Sequence, residues 1–455
     1  MPKISLCAIV KDEERFLPAC LASVRDVADE LVVVDTGSTD RTRDLAREAG
    51  AIVVEHAWTG DFAAARNAGL DRASGTHVLV LDADERLARG AGDALRRAAA
   101  RADLVIGMLP LHDADALDAR DEDVLSGARR LTPPAWLARF FRASKERRFR
   151  RRVHETILPP PGVELAEGAI AAVDAPIVHV GEVPALRAER NKRARNTELL
   201  ERAVREDPAD GELAGYLAME LARGGELARA ESVANSAFEP FLARIDALPP
   251  RSLKPSPVQL AHVLATCRLA RGDARGALTA LDAAAKRCIE PHPNLCFLAG
   301  TAHERLDETD AAERAYRECL ALDGRRFTLP VAPDFTAAAP RARLASLALA
   351  RGRAREALEL LAPVERPSSA GLATAARLLR AEARLVLRDS PAALRELAPL
   401  LASGNANALP PDLFALAAWA AAASGADEPS FADAARRAAP ERWIEPRRRN
   451  LLRTS

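Results

Sequence analysis

The chain lacks any charge imbalance: 65 lysines and arginines face 65 aspartates and glutamates over 455 residues, a formal net charge of +0. No global attraction to a polyanion follows from that balance. No apolar run is long enough for a membrane span. The longest, Leu413–Ala423, is 11 residues, where a spanning helix needs about 20, and its alanine content suits a buried helix. The six cysteines (Cys7, Cys20, Cys267, Cys288, Cys296 and Cys319) have no Cys-x-x-Cys spacing. Several fall at apolar positions, as buried free thiols do. No stretch reads as a signal peptide, because Pro2-Lys3 leads directly into a strand and Lys11-Asp12-Glu13-Glu14 interrupts it. A cytoplasmic protein is expected.

What is present in the first 85 residues is strict alternation. Ile4–Val10 reads as a strand and Glu14–Val27 as a helix. Strand Glu30–Asp35, turn Thr36–Asp40 and helix Arg41–Ala49 follow, the last capped by Thr39 or Asp40. Strand Ala51–Glu55, helix Asp61–Ala73 and an apolar strand from His77 complete the series. Continuous apolar strands alternating with helices predict a mostly parallel sheet covered on both faces. Ligands of such sheets bind beyond the carboxyl ends of the strands, where Asp35, the Ser38/Asp40 turn and Asp82/Asp84 fall.

The last strand ends in Leu81-Asp82-Ala83-Asp84-Glu85. Alternation along an extended chain puts Asp82 and Asp84 on one side, and two hard oxygen ligands there suit Mg²⁺ or Mn²⁺ held against a diphosphate.

Four motifs lie in order: Leu6-Cys7-Ala8-Ile9-Val10-Lys11-Asp12-Glu13-Glu14, Val33-Val34-Asp35-Thr36-Gly37-Ser38-Thr39-Asp40, Asp61-Phe62-Ala63-Ala64-Ala65-Arg66-Asn67 and Leu81–Glu85. Together they resemble the family 2 glycosyltransferases, an inverting group with the GT-A fold, and among them bacterial members with a tetratricopeptide-like tail. The resemblance implies a nucleotide-diphosphate sugar donor, most simply a UDP-sugar, and a divalent cation, Mn²⁺ or Mg²⁺. It assigns Asp35 to the nucleotide base. Gly37, Ser38 and Asp40 form the adjoining turn, the last two also serving as a helix cap. Arg66 and Asn67 fall beside the nucleotide, Arg66 as a phosphate or base contact. Asp82 and Asp84 bracket the metal.

Beyond Pro110 the likeness is scattered. Trp136–Arg142 and Arg152-Val153-His154-Glu155-Thr156-Ile157 resemble the family's Arg-Leu-Phe-Arg and Val-His-Glu segments. That correspondence makes Glu155 the candidate general base for the acceptor; the alternative is an ion pair with a neighbouring arginine. His154 would orient that pair or contact phosphate. His179, in Ile177-Val178-His179-Val180-Gly181, takes the place of a late histidine that assists metal and diphosphate. Relatives carry aromatics where this chain has Val180 and Glu182. Seven arginines crowd Arg139–Arg152. With few aromatics and no accompanying motif they do not make a nucleic-acid interface, and they are expected at the active-site rim. The segment 112–132 has no clear period and reads as a lid or an insertion. A Gly-rich phosphate loop after the first strand, which a nucleotidyltransferase would want, is missing.

From about Ala188 helical patterns replace strands. Aligning Ala230, Ala277, Ala312, Ala357 and Ala393 gives steps of 47, 35, 45 and 36 residues. Two steps lie near the tetratricopeptide period; the others carry about ten extra residues, as inserts at Leu248–Pro257 and Thr328–Pro340 would supply. Such stacked helix pairs bury their apolar faces on each other. The expected architecture is a GT-A domain over 1–187 followed by an all-α tetratricopeptide-like array over 188–455. The acceptor would be a glycan, a lipid or a polypeptide, with the array open to a protein partner or a second copy. The competing reading is an inactive scaffold carrying a relic nucleotide-sugar domain.

Overall fold

A computed structural model describes residues 2–183, 186, 192–250, 252–329, 331–332, 334–364, 369–401 and 416. The run Leu413–Ala423 lies outside these, apart from the buried Leu416. Strands β1 (Ile4–Val10), β2 (Glu30–Asp35), β3 (Ile52–Glu55) and β4 (His77–Val80) pair in parallel in the order β3-β2-β1-β4. Their neighbouring side chains go to opposite faces, as the two-residue period of a strand requires. Leu6, Val33 and Leu79 pack on one face with Leu17, Leu21 and Leu95. Cys7, Val32, Val78 and Val80 pack on the other with Ile106 and Phe141. Each fully buried aliphatic side chain contributes roughly 1.5–3 kcal/mol.

The covering helices are α1 (Leu17–Ser23), α2 (Thr42–Glu48), α3 (Phe62–Arg72) and α4 (Ala91–Ala100). α1 is shorter than its apolar period suggests, because Pro18 sits in its first turn and Glu13–Phe16 close a turn of their own. Asp61 caps α3 by accepting the Ala64 N–H at 2.9 Å. The second half adds β5 (Glu85–Leu87), β6 (Ile106–Asp113), α5 (Asp121–Ser126), β7 (Ala135–Arg142), β8 (Ile170–Ala172) and β9 (Ile177–His179). The sheet runs β3-β2-β1-β4-β7-β6-β9-β5, with β8 alongside β6. β7 is antiparallel to both its neighbours, so the sheet is mixed beyond β4.

Helices then take over: α6 (Lys192–Glu206), α7 (Gly211–Arg223), α8 (Leu227–Asp246), α9 (Val258–Ala270), α10 (Ala274–Ala285), α11 (Pro293–Arg305), α12 (Thr309–Ala321), α13 (Ala338–Ala350), α14 (Ala354–Leu361), α15 (Ala370–Val386) and α16 (Ser390–Leu401). This is the tetratricopeptide-like array. Its hairpin turns place Gly225, Gly272, Asp307, Gly352 and Arg388 at positive φ. These positions are separated by the same 47, 35, 45 and 36 residues as the sequence repeat. Where glycine is missing, an aspartate and an arginine adopt the left-handed turn.

By internal contacts the chain forms two compact units. One is Met1–Leu295 with Arg325–Val331; the other is Cys296–Gly324 with Ala332–Ser455. The first unit therefore holds the sheet together with α6–α10. Two segments that lengthen the repeat spacing pair with it. Ser252 bridges to Glu164, and Gly162 and Val163 exchange hydrogen bonds with Leu253. Phe327 bridges to Ala135, accepting the Trp136 N–H at 3.0 Å, while the Arg326 guanidinium lies 4.5 Å over the Trp136 ring.

Candidate active site

At the carboxyl ends of β1 and β2 two turns lock each other. Asp35 is 2% exposed and accepts the N–H groups of Gly37 and Ser38 at 3.1–3.2 Å. Gly37 has φ 108°, a conformation open to glycine. Ser38 Oγ accepts the Asp12 N–H at 2.9 Å, and Asp12 Oδ1 accepts that of Thr39 at 2.7 Å. Asp40 takes the Glu14 and Thr42 N–H groups at 3.1 and 2.9 Å, so it ties α2 to the rim just ahead of the helix.

Asp82 and Asp84 lie past the end of β4 in a turn, which the Glu85 N–H closes on the Asp82 carbonyl at 3.0 Å. The extended backbone thus stops at Val80, so Asp82 and Asp84 do not share a side and the two carboxylates part. Asp82 is gripped by two buried arginines: Arg66 Nη2 at 2.8 Å on Oδ1 and Arg139 Nη2 at 3.0 Å on Oδ2. Arg139 also reaches Glu85 Oε1 at 2.5 Å, and Glu85 Oε2 accepts the Asp82 N–H at 2.9 Å. Arg66 Nε donates to Glu155 Oε1 at 2.6 Å. Burial alone would raise the Asp82 pKa; the two guanidinium groups hold it well below the usual carboxylate range. Glu85, buried and facing Asp82, is pushed up despite Arg139.

Asp84 belongs to a neighbouring group. His179, at the end of β9, has Nε2 3.6 Å from Asp84 Oδ1 and Nδ1 2.7 Å from Asp113 Oδ1. Burial works to lower its pKa, but the Asp113 hydrogen bond and the charges of Asp84 and Glu85 push it up to about 9. Gly181 flanks the pair closely: an added Cβ would collide with Asp84 Oδ2 and lie 2.5 Å from His179 Nε2.

The structure brings Arg66, Asp82 and Glu155 into one chain of ion pairs, with Asp84 and His179 beside it. It does not bring Asn67 to that centre. Asn67 clasps Phe149, its Nδ2 donating to the carbonyl at 3.0 Å and its Oδ1 accepting the N–H at 2.9 Å. His154 is exposed and stacks on Tyr216, centroids 3.7 Å apart and planes at 5°. Of the seven arginines in Arg139–Arg152, Arg139 alone enters the cluster. Arg142, Arg147 and Arg150 donate to backbone carbonyls, Arg148 pairs with Asp71, and Arg151 and Arg152 pair with acids of the helical region. Sequence reasoning did not assign Glu85 or Asp113 to the site and placed Arg139 only among the basic residues of its rim. Arg139 and Glu85 lay inside quoted motifs, whereas Asp113 carried no sequence signal.

Among the described residues no three His, Cys, Asp or Glu side chains surround one point as a metal site. The donor chemistry still fits a cation at Asp84 and His179, a hard oxygen and an imidazole kept clear of side chains by Gly181. Asp82 is turned to the arginines instead. Arg66 Nη1 and Arg139 Nε are buried without hydrogen-bond partners, and orphaned cationic donors suit an anionic ligand.

Comparison with known proteins bears on the family of the sheet domain. Residues 5–157 match the family model described as Glycosyl transferase family 2. That match falls on the sheet domain at the N-terminal end, which a tetratricopeptide-like helical region follows. A TPR repeat-containing protein of Synechococcus elongatus is 36% identical over 235 residues, 51% of this chain and 55% of its own length. An uncharacterized glycosyltransferase of Rickettsia typhi is 36% identical over 89 residues, 20% of this chain and 30% of its own. A tetratricopeptide repeat protein structure from Parabacteroides merdae covers 58% of this chain and 94% of its own, at 15% identity and a TM-score of 0.37. The chain thus spans about half the length of the Synechococcus relative and less than a third of the Rickettsia one.

Proposed function

We propose that the chain transfers a sugar from a nucleotide-diphosphate donor, a UDP-sugar, to an acceptor hydroxyl, amine or thiol with inversion at the anomeric carbon. The observation that supports it is the Glu155–Arg66–Asp82–Arg139 chain, with Asp84 and His179 beside it, at the strand ends of a family 2 domain. In this reading residues 1–187 are the catalytic module and 188–455 the helical one. Asp35 with the Gly37–Asp40 turn receives the nucleotide. Arg66 and Arg139 direct their remaining N–H donors to the diphosphate and stabilise the charge that grows as the bond to the anomeric carbon breaks. Glu155 takes the acceptor's proton as the new bond forms from the opposite face. Asp84 and His179 would hold a divalent cation, whose chemistry is Lewis-acid charge at the leaving diphosphate. His179 must shed its proton to serve, so cation and proton compete there.

The acceptor is a glycan, lipid or polypeptide, and the helical array leaves room for a protein partner or self-association. No described helix is long and apolar enough to cross a membrane. The described cysteines are all free thiols, which supports a reducing, cytoplasmic setting.

Calorimetric titration of UDP with and without Mn²⁺, repeated on Asp84→Ala, tests the reading. Mn²⁺-dependent binding that the variant loses is the expected outcome. If UDP, GDP and dTDP all fail to bind, the catalytic reading falls and the scaffold alternative takes its place.

A further inference from the structure

The loop that carries Glu155 is a tight hairpin. Arg150 and Thr156 close it with two backbone hydrogen bonds of 3.0 Å. Within it Arg151 and His154 stand at positive φ, 73° and 51°. Side chains other than glycine resist that conformation and hold it only where their surroundings over-determine it. The surroundings here come from two sides. Towards the sheet, Asn67 clasps Phe149, the Phe62 N–H donates to the Arg152 carbonyl at 2.9 Å, and Arg66 takes Glu155.

The other side is helical. Arg151 forks onto Asp210, the cap of α7, at 2.6 and 3.1 Å, and reaches Glu212 at 2.6 Å. Arg152 spans both oxygens of Glu206 in the last turn of α6 at 3.1 Å each. The His154 ring lies flat on Tyr216 of α7. Arg151 and His154 are thus spent on α7, Arg152 is shared between Glu206 of α6 and the Gly60 carbonyl at 2.9 Å, and Glu155, next to the closing residue Thr156, is returned to Arg66. A hairpin with two left-handed residues and three outward anchors has no reason of its own to keep that geometry.

We propose that the first helical pair, α6 and α7, is a positioning element for the candidate base, with Arg151 and Tyr216 as its main positioning residues. The array's first function is then internal: it sets the distance between Glu155 and the diphosphate side of the site. Any partner would use later helices. This rests on Glu155 being the acceptor-side base of a glycosyl transfer, and the experiment separates the two ideas.

The variants are Tyr216→Ala and Arg151→Gln in the full chain, with Tyr216→Phe and Arg151→Lys as conservative partners. UDP release from UDP-glucose and from UDP-N-acetylglucosamine with Mn²⁺ is followed alongside UDP affinity and hydrogen exchange of residues 150–157. A misplaced base costs on the order of ten- to a hundredfold in kcat. That loss is expected with UDP affinity unchanged within about twofold, since the nucleotide turn is untouched. Tyr216→Phe keeps the ring face and should restore the rate; exchange in 150–157 should quicken in the alanine variant while the rest of α7 stays protected. Unchanged rates and unchanged exchange in both variants overturn the proposal. So does equal loss in affinity and rate, which would mean general unfolding. If wild type turns over neither donor, the exchange data alone decide the positioning claim and the catalytic reading fails separately.

Discussion

Asp82 and Asp84 are two residues apart and serve different neighbours. Asp82 is saturated by guanidinium groups, while Asp84 faces an imidazole across the space beside Gly181. Gly181→Ala is the sharpest probe of that space. The methyl would displace only the ends of two side chains, so the fold should hold, with thermal melting within a few degrees of wild type. Mn²⁺-dependent UDP affinity should fall by at least roughly tenfold, about 1.4 kcal/mol, measured by calorimetry. Unaltered affinity would remove Asp84 and His179 from the cation site.

Glu30 offers a test away from the centre. Burial works to raise its pKa, yet hydrogen bonds from Ser5 and from the Ser74 N–H and hydroxyl, with Lys3 nearby, hold it at about 2 against an ordinary 4.5. A depressed carboxylate stabilises the fold above its unfolded pKa, and that stabilisation is lost as pH falls through the folded value. Glu30→Gln should therefore cost about 1–2 kcal/mol at pH 7, as lost charge-assisted hydrogen bonds do. The gap to wild type should close between pH 4.5 and 2 in urea titrations.

The elements were legible where periodicity alone decides them. β1 and β2 fall where the apolar runs place them, because strands buried on both faces write themselves as unbroken Val/Ile/Leu. The repeat register was also legible, down to the hairpins that lack glycine. What was not legible came from distant pairing. Nothing in Arg139 announces that its neighbour across the site is Asp82, and the Arg151–Asp210 fork joins residues 59 apart in sequence. Two of the basic residues expected at the active-site rim, Arg151 and Arg152, proved to be fasteners for α6 and α7, a distinction composition cannot make.

Element-scale strain gives another test. Asp307 and Arg388 hold the left-handed turns that glycine holds in sister repeats. Asp307→Gly and Arg388→Gly should each stabilise the array by about 1 kcal/mol by relieving that backbone cost. A rise in the array's melting temperature checks it; a fall would mean that the side chains carry compensating contacts.

At the scale of the whole molecule, the sheet and the first helices form one compact unit. A chain ended at Arg187 would lose the helical partners of Arg151, Arg152 and His154. It is expected to leave Arg151 unpaired, with Arg152 held by the Gly60 carbonyl alone, and to lose donor turnover, with exchange of residues 150–157 rising to near loop rates. Turnover by that fragment at the full-length rate would show that the helices are dispensable.

The late bridges to the sheet have a consequence for synthesis. Glu164 waits for Ser252, 88 residues on, and Ala135 for Phe327, 192 residues on, so the edge of the sheet domain stays open while those residues leave the ribosome. Contacts so distant in sequence close slowly. The first-made half is completed only after part of the helical region has been made, and the nascent domain must pass that interval with a strand end exposed to whatever else can pair with it.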